Sequence, residues 1–291
     1  MSSADPALHR CYRHPDREAG RSCTRCGKPA CSDCLVQAQV GSHCLDCAKA
    51  ARPDVKTRAK LASSQLLTPV TYSIIAINVA VFMWMGASDS QSFAGTATKL
   101  HGDLGLSKTI LQGQSRWDSN SAIYPAHQWY RLITSGFIHF GLFHLAMNML
   151  LLFQLGKLLE RALGTVRFSL LYTAALLAGS LGVLLVDGGA LTGGASGAVF
   201  GLMAGAAVGL HRRGINVFST GIGMTLVLNL VLTFSIRGIS IGGHVGGAIA
   251  GAILGWLMLA PSWKPVPKWA TYAAPAVVML ISVIGAVIVV G

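Results

Sequence analysis

Beyond residue 68 the chain reads as a series of long apolar runs separated by short polar turns. A helix crosses a bilayer with about 20 mostly apolar residues. Seven runs meet that pattern and predict spans at roughly 69–87, 139–160, 165–186, 196–211, 215–235, 240–260 and 269–290. Before residue 68 the chain is polar, and all seven cysteines fall between Cys11 and Cys47. The expected organisation is a cysteine-rich head at 1–48, a basic linker at 49–67 and a transmembrane body at 68–291. The fold class expected is an all-α polytopic membrane protein with a small N-terminal metal-binding domain. A cleavable leader is not expected, because the first apolar run stands behind a long polar segment.

The fourth run is short. Ser196 to His211 spans about 24 Å at about 1.5 Å per residue, against a hydrocarbon core of about 30 Å. With Arg212 and Arg213 holding one end at the surface, Ser196 is expected below the opposite surface. The stretch Leu191–Ala195 then enters the membrane as irregular backbone, which requires protein or a wet cavity around it. This run carries Gly197, Gly201, Gly205 and Gly209; the sixth carries Gly243, Gly247, Gly251 and Gly255. Glycine at every fourth position makes a smooth ridge that permits close helix approach. Both runs point the same way through the membrane, so facing ridges would bring their leading ends, Ser196 and His244, together.

A serine and a histidine at matched depth suggest nucleophile and base: imidazole takes the hydroxyl proton during attack and returns it to the leaving amine. Alone, Ser196 reads as a helix cap and His244 as a buried structural histidine. On the second run, His144 and Asn148 share one face and are donors suited to an oxyanion, as is the Ser196 amide at a helix N-terminus. His139 is expected to tie a loop to the start of that helix. His101 and His127, in the polar insertion 88–127, are expected to be solvated, and the insertion is either a lid or a disordered excursion. Asn78 and Asn229 read as interhelical hydrogen-bonding groups.

In the head, Cys11-x2-His14, Cys23-x2-Cys26, Cys31-x2-Cys34 and Cys44-x2-Cys47 make four pairs, enough for two tetrahedral zinc sites. The spacing suggests a cross-brace: Cys11, His14, Cys31 and Cys34 on one ion; Cys23, Cys26, Cys44 and Cys47 on the other. A disulfide module is disfavoured by the odd cysteine count, which His14 completes. His43 is an alternative ligand to Cys44 that the regular pairs argue against. Four protein ligands per ion make the zinc structural, and a cytoplasmic protein is the expected partner of the head. No cofactor is expected for catalysis.

Charge changes the picture only in placement. Charged residues are 12% of the chain and the net charge is +12, concentrated in the head, the linker (Lys49, Arg52, Lys56, Arg58 and Lys60 against Asp54) and the turns. This pattern encodes topology and not nucleic-acid binding. It places Lys157, Arg161, Arg167, His211, Arg212, Arg213, Lys264 and Lys268 inside with the N-terminus, and Asp187 and Arg237 outside. Zinc thiolates require the same reducing interior for the head.

Gly194-Ala195-Ser196-Gly197, His139-x4-His144-x3-Asn148, His244-x2-Gly247-x3-Gly251 and Trp129-Tyr130-Arg131, with Gly156 and Glu160, together resemble the rhomboid family of intramembrane proteases over roughly residues 69–260. The head resembles B-box-type zinc fingers in its spacing. The rhomboid resemblance implies a helical bundle of 6+1 transmembrane helices and a Ser196–His244 dyad without an acidic third member. It also implies an oxyanion hole from His144, Asn148 and the Ser196 amide, and transmembrane protein substrates entering laterally from the lipid bilayer. Gly194, Gly197, Phe200 and His139 are supporting residues. Phe200 stands where many members carry Tyr, and the ring is expected to pack on His244. The expected setting is a bacterial plasma membrane, with the N-terminus cytoplasmic and the active site open to the outside. The rival expectation is an inactive rhomboid-like chaperone or adaptor.

Overall fold

A computed structural model describes residues 9–38, 41–50, 68–116, 118–236 and 238–291. Most of the predicted linker (51–67) and Arg237 lie outside the described residues. The chain divides into two compact units, before and after Thr68.

The head is built from two short antiparallel pairs. Strand β1 (Arg21–Ser22) pairs with β2 (Pro29–Ala30), and β3 (Leu35–Gln37) with β4 (Ser42–Cys44), in the register Leu35↔Cys44 and Gln37↔Ser42. A short helix α1 (Leu45–Ala50) follows. The turn after β1 closes through the Gly27 amide donating to the Cys23 carbonyl at 2.8 Å, with Gly27 at φ +75°. Such a turn points Cys23 and Cys26 to one side. The head's buried cluster is Cys11, Ala30, Cys31 and Cys34, edged by Tyr12, Leu35 and Leu45. A core made mostly of thiols buries too little hydrocarbon to hold so small a unit alone.

The second unit is a helical bundle. Its apolar helices are α2 (Pro69–Ser88), α7 (Leu142–Leu163), α8 (Thr165–Val186), α9 (Ser196–Arg212), α10 (Ile222–Ser235), α11 (Ile241–Met258) and α12 (Lys268–Val290). Five of them are long and apolar enough to cross a membrane; α9 and α10, at 17 and 14 residues, are shorter. The chain is an integral membrane protein.

Two predicted spans begin later than expected. The second starts at Leu142, not 139, because His139 and Phe140 form an extended turn closed by Gly141 at φ +87°. The fifth starts at Ile222, not 215. Asn216 Oδ1 accepts from the Phe218 amide at 3.0 Å, and Gly221 at φ +79° makes the entry to the helix. Both turns are apolar enough to read as helix.

The start of α2 is held by Glu160 of α7. Its buried carboxylate accepts from the Val70 amide (3.0 Å), the Thr71 amide (2.9 Å) and the Thr71 hydroxyl (2.7 Å). An anion at a helix N-terminus satisfies free amides and meets the positive end of the dipole.

The described residues between α2 and α7 fold into short helices and turns and do not form a structureless excursion. They include α3 (Gln91–Ala94), α4 (Lys99–Leu104), α5 (Lys108–Leu111) and α6 (Arg131–Thr134). Arg131 is fully buried, donating to the Gly102 and Gly105 carbonyls at 2.6 and 2.8 Å and to Gln128. His101 is also fully buried, against the expectation of solvation. Its Nδ1 accepts from the Thr98 amide and its Nε2 donates to the His139 carbonyl at 3.1 Å. Desolvation lowers its pKa below the ordinary value, and the neutral ring is what this pair of bonds requires. His127 is exposed and bonds the Gly291 carbonyl.

Helix α9 runs through the middle, packed by α7, α8, α10 and α11. A Cβ at Gly197 would lie 3.1 Å from the Gly243 carbonyl oxygen, one at Gly201 2.9 Å from that of Gly247, and one at Gly205 2.9 Å from that of Gly251. The two glycine ridges therefore face each other for three rungs. The fourth differs: Gly209 meets the Leu259 side chain. Sequence reasoning missed a third strip, on α8, where Gly179 faces Gly197 and Gly243, and Gly182 faces Gly242 and Gly246. Helix α10 is the least enclosed, with only Gly223 and Thr233 buried. Asn78 and Asn229 each donate within their own helix, to the Ile74 and Thr225 carbonyls, and not across helices as expected.

Candidate active site

The backbone before α9 is irregular, as the short fourth run required. The segment is tied down by Leu106 and Thr192, whose amides and carbonyls exchange bonds of 2.9 and 2.8 Å, and by the Gly194 amide donating to the Ser135 carbonyl at 2.8 Å. Gly194 has φ +133°, a conformation that L side chains rarely adopt, and a Cβ there would lie 2.8 Å from His144 Nε2. Gly194 thus lets His144 approach Ser196.

Ser196 is the first residue of α9, half-buried, and its amide is among the free N–H groups of that N-terminus. His244 lies in the first turn of α11, buried. The glycine ridges bring the two together: Ser196 Oγ is 2.8 Å from His244 Nε2. The Phe200 ring stacks on the imidazole at 4.1 Å between centroids and 16° between planes. The start of α11 is anchored from α8's end. Asp187 accepts from the Gly242 amide at 3.0 Å and from the Ser240 hydroxyl, and Ser240 Oγ accepts from the Gly243 amide. Asp187, read from sequence as a turn residue, therefore fixes the turn that carries His244.

His144 Nδ1 accepts from the Phe140 amide at 3.4 Å, so its proton belongs on Nε2, the nitrogen beside Gly194 and Ser196. Asn148 Nδ2 uses one hydrogen on the His144 carbonyl at 2.9 Å, leaving its second amide hydrogen. His139 is fully buried; its Nε2 accepts from the Ala195 amide at 3.4 Å and its carbonyl holds His101. It links loop to helix, and among the described residues no hydrogen bond joins it to Ser196. A small hollow of about 40 Å³ lies beside Ser196, with Ser135, Ser180, Thr192 and Ser240 among apolar walls from Leu106, Leu176 and Val183. That is room for water.

One contact was not foreseen. Thr233 Oγ1 of α10 lies 2.7 Å from His244 Nδ1. The sequence signal was faint: a hydroxyl four residues after Asn229 on a mostly apolar helix that also holds Thr225 and Ser235, with no spacing rule connecting it to residue 244.

In the head, all seven cysteines are free thiols. Ligand atoms of Cys11, His14, Cys31 and Cys34 gather within 4.8 Å of one another, and so do those of Cys23, Cys26, Cys44 and Cys47. These are the two groups that the spacing suggested; His43 is in neither. A tetrahedral ion with metal–sulfur bonds of about 2.3 Å and metal–nitrogen bonds of about 2.0 Å requires edges of about 3.7 Å between sulfurs and about 3.5 Å from sulfur to nitrogen. Cys26 and Cys44 sulfurs are 3.7 Å apart, and His14 Nδ1 lies 3.8, 3.5 and 3.4 Å from Cys11, Cys31 and Cys34. Burial raises the Cys11 thiol, but hydrogen bonds from the backbone of Cys31, Arg13 and His14 outweigh it and hold the pKa at about 6, while burial and the neighbouring Cys11 and Cys31 push the Cys34 thiol up to about 11. Thiolate is the form that ligates metal. Both clusters could bind metal ions.

Residues 126–261 match the family model for the rhomboid domain. The chain is 35% identical over 181 residues to rhomboid protease GluP of Bacillus subtilis (strain 168), an overlap covering 60% of this chain and 32% of that protein. It is 38% identical over 100 residues to RHOMBOID-like protein 1 of Arabidopsis thaliana (34% of this chain, 25% of that protein). It is 35% identical over 108 residues to Rhomboid-related protein 3 of Homo sapiens (36% and 27%). The chain thus spans about a quarter to a third of the length of these relatives.

Proposed function

We propose, from the match of residues 126–261 to the rhomboid domain model, that the chain is an intramembrane serine endopeptidase with Ser196 as nucleophile and His244 as base. The observation that carries this reading is the 2.8 Å contact between Ser196 Oγ and His244 Nε2. As Oγ bonds to the scissile carbonyl carbon, its proton passes to Nε2. The carbonyl oxygen gains the negative charge and is met by the Ser196 amide, His144 Nε2–H and the free hydrogen of Asn148. The imidazolium then protonates the leaving amine and the C–N bond breaks, leaving an acyl-enzyme. Water, for which the hollow beside Ser196 has room, gives a proton to Nε2 and attacks the ester, and Ser196 is released with its proton.

The substrates are transmembrane segments of other proteins. A peptide bond inside an intact helix is shielded, so segments that unwind near the outer face are preferred. The head (1–48) and linker (49–67) lie in the cytoplasm of a bacterial cell, the body (68–291) crosses the plasma membrane, and the site opens outward. The head holds two structural zinc ions and docks a cytoplasmic protein.

A fluorophosphonate phosphonylates an activated serine. In detergent it is expected to label the wild-type protein and to leave Ser196→Ala unlabelled, read by in-gel fluorescence. Labelling that survives Ser196→Ala refutes the assignment. No labelling of folded wild type supports the inactive chaperone or adaptor instead.

For the head, metal analysis of protein purified under reducing conditions is expected to give about two zinc per chain. Cys34→Ser and Cys47→Ser should each lower the content by about one, with the other site retained. Zinc near zero in the wild type rejects the sites.

A further inference from the structure

His244 offers two ring nitrogens, and its surroundings accept one arrangement of the proton. Thr233 Oγ1 lies 2.7 Å from His244 Nδ1 and also 2.7 Å from the Asn229 carbonyl oxygen. A carbonyl only accepts, so the single hydroxyl proton of Thr233 goes to Asn229. The hydroxyl oxygen then accepts, and the donor is Nδ1–H. A neutral imidazole has one N–H, so Nε2 presents its lone pair to Ser196. We propose that Thr233 is a positioning residue that holds His244 in the Nδ1–H tautomer, a neutral counterpart of the carboxylate that orients histidine in other serine hydrolases.

The proposal rests on the reading of His244 as base, and it adds a residue that the Ser–His pair by itself does not contain. Among the described residues no carboxylate hydrogen-bonds His244. The nearby acid, Asp187, is engaged with Ser240 and Gly242. Phe200 stacks on the ring and limits its tilt, but a flat stack on an aromatic face does not choose a tautomer. Thr233 alone among the contacts at Nδ1 does. Its own direction is set by the bond to Asn229, one turn earlier. The orienting group sits on α10, where it is one of only two buried residues. Where α10 seats therefore bears on which nitrogen carries the proton.

The test compares Thr233→Val, which keeps the shape and loses the acceptor, with Thr233→Ser, which keeps the acceptor. The probes are the fluorophosphonate, used at varied concentration to separate saturation from the rate of serine modification, and nitrogen NMR of full-length protein carrying labelled histidine. Thr233→Val is expected to slow the saturated rate roughly 10- to 100-fold with the half-saturating concentration unchanged. That is less than the roughly 10⁴-fold cost of a wrong tautomer in a Ser-His-Asp triad, because water can partly replace a hydroxyl. Thr233→Ser should stay within about threefold of wild type. The wild-type His244 signal should be that of Nδ1–H, with Nε2–H appearing in Thr233→Val. A wild-type spectrum showing Nε2–H, or Thr233→Val reacting at the wild-type rate, overturns the proposal. If Thr233→Val does not fold, the wild-type spectrum still decides, and it does so whether or not Ser196 proves to be the nucleophile.

Discussion

Replacing Ser196 by alanine is expected to lower peptide-bond cleavage by about 10⁴- to 10⁶-fold while leaving the bundle folded. The hydroxyl oxygen supplies the bond to the substrate carbonyl, and its one observed partner is His244 Nε2. Without it the base has no proton to take. Little else changes, because Ser196 is half-buried at the start of α9 and its amide remains in place. His244→Ala is expected to cost as much activity and more stability. It leaves the Phe200 face without its stacking partner and Thr233 without its donor. The double variant should be no slower than either single one, since two groups that act as a unit do not contribute additively. The measurement is cleavage of single-span reporters in proteoliposomes, with thermal unfolding in detergent as the folding control. Cleavage that persists in folded Ser196→Ala protein overturns the mechanism.

The pairing of Ser196 with His244 was legible because two independent periodicities met. Glycine at every fourth residue on two runs implied close parallel helices, and the short fourth run set the depth of Ser196. Proximity followed once the two ridges were set face to face, as they are in the structure. What the sequence hid has physical reasons too. Apolarity marks where a chain is buried and not how its backbone runs, so both stretches read as α-helix while His139–Gly141 folds as a turn and Ile215–Gly221 as a turn with a short 3-10 helix at Phe218–Thr220. The second carried a readable warning, an Asn216 flanked by Gly214 and Gly221. His101 sits among polar neighbours in sequence, yet a bond to the His139 carbonyl buries it. Burial set by a partner 38 residues away leaves no local trace. Thr233 was invisible for the same reason. The head was the opposite case, since its ligand spacing is local and the two clusters follow it directly.

Gly251→Ala is expected to destabilise the bundle by about 3 kcal/mol, the upper end of the range for overpacking, and to remove most cleavage activity. A Cβ at residue 251 would run into the carbonyl oxygen, carbonyl carbon and Cα of Gly201, all main-chain atoms of α9. A side chain in that place could rotate away; helix backbone cannot. Ala175 of α8 packs against the same stretch of α9, leaving little room at Gly201. Relief therefore requires α9 and α11 to separate, and these are the helices whose N-terminal turns hold Ser196 and His244 at 2.8 Å. A shift of about 1 Å at that contact takes the pair out of hydrogen-bond range. The control is Gly285→Ala on α12, where the nearest atoms to the new methyl belong to the Leu181 side chain, at 3.0 Å and able to move. That variant should keep near-wild-type unfolding and cleavage. If Gly251→Ala matches Gly285→Ala in both unfolding midpoint and cleavage rate, the ridge-to-ridge contact is not what sets the distance between nucleophile and base.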